Sequence, residues 1–186
     1  MNIFYLDSNP KTCAEYHCDK HVVKMILEYA QLLSTAHRVL DGALTVGISK
    51  TGRKAKRYVL PDARESILYT ATHINHPSAV WVRKSYHNYV WLYRLLQYSC
   101  KEYTHRYGKV HKVERSGLLA KLNATPDALI PTKNNIHFTD PPAAMPDTYK
   151  ESDAVKSYHN YYNYDKQRFA KWTNRSIPSW FQHKVA

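Results

Sequence analysis

Apolar and aromatic residues recur at spacings of three and four along Val82, Tyr86, Tyr89, Tyr93, Leu96, Cys100 and Tyr103, the period of one face of an α-helix. This spacing predicts a long amphipathic helix opening at Ser78, an N-cap type of residue, and closing near Tyr107-Gly108. A second apolar face precedes it. Val22, Met25, Ile26, Tyr29 and Leu33 share one side of a helical stretch expected from about Pro10 to Leu40, with Cys18-Asp19 as its candidate break. Pro10 stands at a first helical position behind the capping sequence Asp7-Ser8-Asn9, and Asp41-Gly42 ends the stretch.

The remaining segments are shorter or irregular. A short helix is expected near residues 109–122. A last helix is expected from about Ser152 to Thr173, carrying Val155, Tyr158, Tyr162, Phe169 and Trp172 at helical spacing. Ile177-Pro178-Ser179-Trp180-Phe181 forms an aromatic tail expected to dock on the core. Residues 2–6 are apolar and β-prone, but one such piece does not make a sheet. Residues 42–62 look loop-like. Residues 123–146 are rich in Pro, Asn, Thr and Asp and exceed the usual structureless loop, which points to a functional or packed role. The expectation is an all-α, mainly helical chain, with residues 1–186 forming a single compact domain of about four to five helices.

The polar side of the first stretch is unusual. His17, His21, Lys24 and Glu28 fall on one narrow stripe at 3.6 residues per turn. Two imidazoles, an ammonium and a carboxylate in register can bind an anion and move protons. A plain solvated face with a Lys24–Glu28 pair, worth about 0.3–0.5 kcal/mol, is the alternative. Glu28, flanked by Met25 and Leu32 yet one turn from Lys24, is the candidate catalytic carboxylate for cleaving a glycosidic bond. His21 is its expected catalytic partner. Asn75-His76-Pro77 opens the central helix with Arg83 two turns on, a second candidate anion site, although His76 also suits simple capping.

Charge sets the class of partner. The 186 residues hold 27 Lys and Arg against 15 Asp and Glu, a formal net charge of +12. Such an excess implies a polyanion, because neutralising phosphates releases counterions. Sixteen tyrosines and four tryptophans are interleaved with these cations, as suits phosphate contact with base stacking, although packing between helices accounts for more than half of the tyrosines. The segment 50–57 contains Lys50, Arg53, Lys54, Lys56 and Arg57 and no acid, and is the candidate phosphate clamp.

Several classes are disfavoured. No apolar run approaches the roughly 20 residues that span a bilayer, and no secretory signal is evident. The three cysteines suggest no disulfide framework, which fits a reducing cytoplasm. Cys13, His17, Cys18 and His21 match no usual zinc spacing. Only five glycines are present, with no phosphate loop, nucleophile elbow or dinucleotide fingerprint. Neither a metal nor a cofactor is expected.

Asp19-Lys20-His21-Val22-Val23 followed by Glu28 resembles the first-helix pattern of the pyrimidine-dimer DNA glycosylases of endonuclease V type. The segment from His76 to Arg83 is similar to that family's histidine-containing turn, and Pro178-Ser179-Trp180-Phe181 to its closing segment. The style of the first helix looks closest to basic phage-encoded relatives of unassigned role, which places the protein in the host cytoplasm. The resemblance implies an all-helical single domain that binds duplex DNA, kinks it and flips a base. It further implies an amino-terminal amine that attacks the sugar C1′, assisted by a glutamate matching Glu28, with His21 and His76 matching family histidines.

Three features depart from that pattern. Asn2 is a residue that ordinarily leaves Met1 in place. The stretch before the first helix is long enough to carry the amine away from Glu28. Leu27 stands where an arginine is expected. The leading expectation is therefore a DNA glycosylase-like enzyme acting on an N-glycosidic bond or modified base, with Glu28 and His21 catalytic. His17, Lys24, Asn75, His76, Arg83 and the basic segment would hold substrate or phosphate. The alternatives are a non-catalytic binding protein that sequesters a nucleotide or small phosphorylated signal, and an architectural DNA-binding protein. The sequence does not set the oligomeric state.

Overall fold

The computed structural model describes residues 1–48 and 51–182. It is mainly helical. Among the described residues, eight α-helices and one two-stranded hairpin follow in the order α1 (Pro10–Tyr16), α2 (Asp19–Asp41), β1 (Ala43–Ile48), β2 (Lys54–Val59), α3 (Arg64–Ile67), α4 (Pro77–Lys84), α5 (Tyr86–Tyr107), α6 (Lys112–Arg115), α7 (Leu118–Lys121) and α8 (Ala154–Tyr161). The count exceeds four to five because α3, α6 and α7 are single turns and both long stretches are broken.

The first break falls at Cys18-Asp19. His17 and Cys18 are extended between α1 and α2, so the stripe proposed along one helix loses His17. The second break divides the helix expected from Ser78. His76, not Ser78, caps α4: its Nδ1 accepts from the Ser78 N–H at 3.2 Å. Ser85 is extended, with φ −143° and ψ 141°, and caps α5. Its Oγ lies 2.6 Å from His137 O and 2.9 Å from Asn135 O, while the Tyr86 N–H donates to Asn135 O at 2.8 Å. The irregular segment thus fills the break with hydrogen bonds that an uninterrupted helix would leave unused.

The last helix also stops early. After Tyr161 the chain widens into a π-turn over Tyr162–Lys166 and then tightens into a 3₁₀ turn over Gln167–Phe169. The aromatic tail does dock. Trp180 stacks on His159 with ring centroids 3.9 Å apart, and Phe181 packs against Trp172 at 4.7 Å.

Helices α4 and α5 pack on α2, and α1 packs on α5. Residues Ile3 to Leu6 form no strand but are buried in this core beside Tyr29, Leu32, Leu33, Leu92 and Leu95. The buried tyrosines keep their hydroxyls satisfied, as buried phenols must. Tyr29 pairs with His17 at 2.6 Å, Tyr89 with His37 at 2.8 Å, Tyr162 with His21, and Tyr158 with Asn2 at 2.6 Å. A buried ionic cluster ties α5 to both ends of the chain. Arg106 bonds Glu102 at 2.7 Å and Asp19 at 2.9 Å, and Arg175 reaches Glu102 at 2.8 Å. No described helix is long and apolar enough to cross a membrane.

Strands over Ala43–Ile48 and Lys54–Val59 correct the loop expected over 42–62. β1 and β2 pair antiparallel from Ala43↔Val59 to Ile48↔Lys54. Their root is fastened by Arg38, which is almost wholly buried. Its guanidinium donates to Tyr58 O at 3.0 Å, Tyr69 O at 2.6 Å, Leu68 O at 2.9 Å, Glu65 O at 3.0 Å and Glu65 Oε2 at 2.5 Å. Gly42 permits the close entry. A Cβ there would stand 2.4 Å from Arg38 O and 3.2 Å from Val59 O, both backbone atoms.

Candidate active site

Glu28 lies on the exposed edge of α2, with its side chain only 14% accessible. Its Oε2 accepts from the backbone N–H of Asn2 at 3.1 Å, and its Oε1 meets Lys24 Nζ at 3.2 Å. The stretch before the first helix therefore does not carry the amino terminus away from Glu28, because residues 3–6 run back through the core. Asn2 is held on all sides. Its Nδ2 donates to Ala144 O at 2.9 Å, and its Oδ1 accepts from Ile3 N at 2.8 Å and Tyr158 Oη at 2.6 Å. The long irregular segment and α8 thus fix the nitrogen that Glu28 touches.

His76 completes this corner. Burial lowers its affinity for a proton first, the amino-terminal ammonium and His73 lower it further, and Glu28 works in the opposite direction. An imidazole whose Nδ1 accepts from Ser78 carries its proton on Nε2 when neutral. His76 thus offers a neutral donor, not a cation, beside the amino terminus. His73, in the left-handed region at φ 49°, supplies the carbonyl that accepts from the His76 N–H at 2.8 Å. The backbone N–H of Asn2, the Glu28 carboxylate, the Lys24 ammonium and the His76 imidazole are gathered at one corner.

Residues 1–115 match the family described as pyrimidine dimer DNA glycosylase. The chain belongs to that family. No curated protein and no solved structure matches it. Membership implies DNA glycosylase activity on damaged bases and a DNA substrate. The matched residues include Glu28, His76 and the hairpin. Ala144, Tyr158 and the closing Pro178-Ser179-Trp180-Phe181 lie beyond them, so the clamp on Asn2 comes from outside the family match.

The other residues singled out from the sequence are not all at this corner. His17 and His21 are corrections to the polar stripe. His17 is buried, with Nδ1 2.6 Å from Cys13 O and Nε2 2.6 Å from Tyr29 Oη, so neither nitrogen is free for substrate. His21 is 6% accessible, stacks on Phe4 with centroids 4.0 Å apart and bonds Tyr162 through Nδ1. Desolvation drives both toward the neutral form, His17 to about 4 and His21 to about 2, with neighbouring cations adding to the effect at His21. Lys24 is exposed and engaged with Glu28. Asn75 is exposed in the turn before α4.

Arg83 is half-buried, which weakens its hold on a proton, while the Tyr58 hydroxyl acts in the opposite sense. Its Nη1 is buried with no hydrogen-bond partner among the described residues. The influence of Tyr58 places Arg83 near the root of the hairpin.

Arg53 precedes β2, which carries Lys54, Lys56 and Arg57, while Lys50 lies outside the described residues. A cleft of about 360 Å³ separates the hairpin from residues 70–74. Leu44, Lys56 and Tyr58 form one wall, with Thr72, His73 and Ile74 opposite. His73 links this cleft to the His76 corner. Among the described residues no group of three His, Cys, Asp or Glu side chains is arranged to hold a metal.

Sequence reasoning missed Tyr158, Ala144 and His73. The first two reach Asn2 across 156 and 142 positions, and no local pattern announces such a contact. His73 carried a weak signal, a second histidine three residues before His76.

Proposed function

We propose that this protein is a DNA N-glycosylase in which Glu28 is the catalytic carboxylate and the nitrogen of residue 2 is the position of the attacking amine. The 3.1 Å contact between Asn2 N and Glu28 Oε2 carries this reading. This reading requires removal of Met1, which a following Asn ordinarily leaves in place; the nitrogen of residue 2 then becomes a primary amine hydrogen-bonded to its base, the pairing required of an activated nucleophile. Its lone pair forms a bond to C1′ of the damaged nucleotide. The C1′–base bond breaks and its electron pair leaves with the base, which takes a proton. Glu28 accepts the proton released from the new ammonium, and opening of the sugar ring gives an imine. Lys24 pairs with Glu28 and orients its carboxylate. His76 donates through Nε2–H to a substrate oxygen, and Arg53, Lys54, Lys56 and Arg57 carry phosphate contacts.

The test is borohydride reduction during turnover of an ultraviolet-irradiated duplex, with intact-mass analysis of the amino terminus. A covalent protein–DNA adduct on chain lacking Met1, lost in Glu28→Gln while DNA binding persists, is expected. Full activity in Glu28→Gln would remove the role of the carboxylate. Turnover without any trapped adduct would remove the amine and leave water as the nucleophile.

A further inference from the structure

The hairpin has two chemically different faces. Alternation along paired strands puts Leu44, Val46 and Ile48 of β1 on one face, directly opposite Tyr58, Lys56 and Lys54 of β2. The three aliphatics are 52%, 67% and 66% accessible. Large apolar side chains left in water as a row mark a surface with a partner. Here the row runs beside Lys54 and Lys56, both exposed, so the partner is apolar along one line and anionic along the next.

We infer that this face is a β-ribbon arm that lies in the major groove of duplex DNA, with Lys54 and Lys56 on a phosphate strand and Val46 and Ile48 against the base edges. The inference rests on the DNA-glycosylase reading above and goes beyond it by assigning groove and orientation. Dimensions favour it. Six-residue strands extend about 20 Å and lie about 4.8 Å apart. With flanking side chains, such a ribbon fits a groove about 12 Å wide and overfills the minor groove at about 6 Å. The apolar group that the major groove presents is the C5-methyl of thymine, the match for an exposed Val-Ile row.

Position supports the same partner. Leu44, Lys56 and Tyr58 belong to this face and wall the cleft that ends at His73 and Ile74. The ribbon is therefore continuous with the corner of Asn2, Glu28 and His76. Its root cannot swing freely, because Arg38 fastens Tyr58 O and residues 65–69 to α2. Duplex DNA seated along the ribbon would run toward the reactive nitrogen.

Binding of the full chain to a labelled 24-base-pair thymine-rich duplex, and to the same duplex with uracil for thymine, tests this as a function of salt. Lys54→Ala with Lys56→Ala should weaken binding roughly 10- to 30-fold near 0.15 M salt and lower the log–log slope by about two. Val46→Ser with Ile48→Ser should leave that slope unchanged and weaken binding several-fold. Uracil should weaken the wild type and leave this second variant unaffected. Both pairs are exposed, and circular dichroism checks their fold.

Wild-type-like binding and slopes in both variants would overturn the ribbon assignment while leaving the glycosylase reading intact. So would a salt effect without a uracil effect, which reduces the arm to a phosphate contact. So would sedimentation showing a dimer that only Val46→Ser with Ile48→Ser dissolves, with DNA binding unaltered. Absence of any binding by the wild type would instead remove the DNA reading on which the inference stands.

Discussion

The backbone nitrogen of Asn2 and the carboxylate of Glu28, 26 residues apart in sequence, are 3.1 Å apart in space. The Asn2 side chain does not make that contact; it holds the nitrogen there through Ala144 O and Tyr158 Oη. In the proposed mechanism Tyr158 is thus a positioning residue. Tyr158→Phe removes one hydroxyl from a buried site and leaves the ring packing in place. Small displacements of a reacting atom cost rate far more than affinity, up to about 100-fold for 1 Å. We expect kcat to fall about tenfold or more with KM for DNA nearly unchanged, and borohydride trapping to slow in parallel. A loss shared equally between stability and KM would mark Tyr158 as merely structural.

His76 has two separable duties. Its Nδ1 caps α4, and its Nε2–H is the donor assigned above to a substrate oxygen. Asn is a good capping residue without a ring donor, whereas Ala provides neither function. His76→Asn should therefore keep the melting temperature and lose activity. His76→Ala should lose activity and about 0.5–2 kcal/mol of stability. Equal activity of His76→Asn and wild type would confine His76 to capping.

Three histidines on or beside α2 are held neutral in the fold. Burial pushes His17 to about 4, His21 to about 2 and His37 to about 4, with Arg64 assisting at His37. An unfolded histidine titrates near 6.5. As pH falls from about 6.5 toward 4, the unfolded chain takes up protons that the folded chain refuses. The stabilisation present above 6.5 is lost across that window, by at most about 1.4 kcal/mol per pH unit for each group. Urea unfolding at pH 7, 6 and 5 should show the decline, and His37→Gln should flatten it by about one third. An unchanged slope in that variant would mean His37 takes its proton within the fold.

The ionic cluster makes a different acid signature. Burial alone would raise Glu102, but hydrogen bonds from Arg175 and Arg106 outweigh it and hold the carboxyl below its usual range. This contribution is present above the ordinary glutamate pKa and is lost as pH drops through the depressed value. Glu102→Gln strips the charge that two guanidinia share in a nearly dry site. Breaking such a pair costs about 3–5 kcal/mol, measurable as a lower urea midpoint at pH 7. A midpoint within about 0.5 kcal/mol of wild type would show that solvent or Asp19 replaces Glu102 at Arg106.

Helical periodicity made the long elements legible, since Val22-Met25-Ile26-Tyr29 and Tyr89-Tyr93-Leu96-Cys100 must each hide one face. The largely shielded position of Glu28 was legible because it sits among apolar neighbours on an amphipathic helix. His17 and His21 were misread for a physical reason. An imidazole is polar in sequence but, once neutral and bonded to a phenol, packs as a core ring. The split at Ser85 was hidden because its cause, the carbonyls of Asn135 and His137, lies 50 residues away. The hairpin was hidden because its basic residues read as a solvated loop, whereas pairing in register and the clamp from Arg38 make it a ribbon.

That clamp gives the last test. Arg38→Met leaves the carbonyls of Tyr58, Leu68 and Tyr69 without their donor, at about 1–3 kcal/mol for each group that water cannot reach. Gly42→Ala attacks the same root from the other side, because its Cβ would meet Arg38 O at 2.4 Å and backbone does not yield as a flexible side chain does. Both changes act on a hairpin that contributes little to the core, so local opening should exceed global loss. Hydrogen exchange should show amides of residues 43–48 and 54–59 losing protection while those of Leu92 to Cys100 keep theirs. DNA affinity should fall with the hairpin, and trapping at saturating DNA should be retained because the Asn2–Glu28 contact has its own supports. Uniform loss of protection across α5 would instead show that the hairpin root is part of the cooperative core.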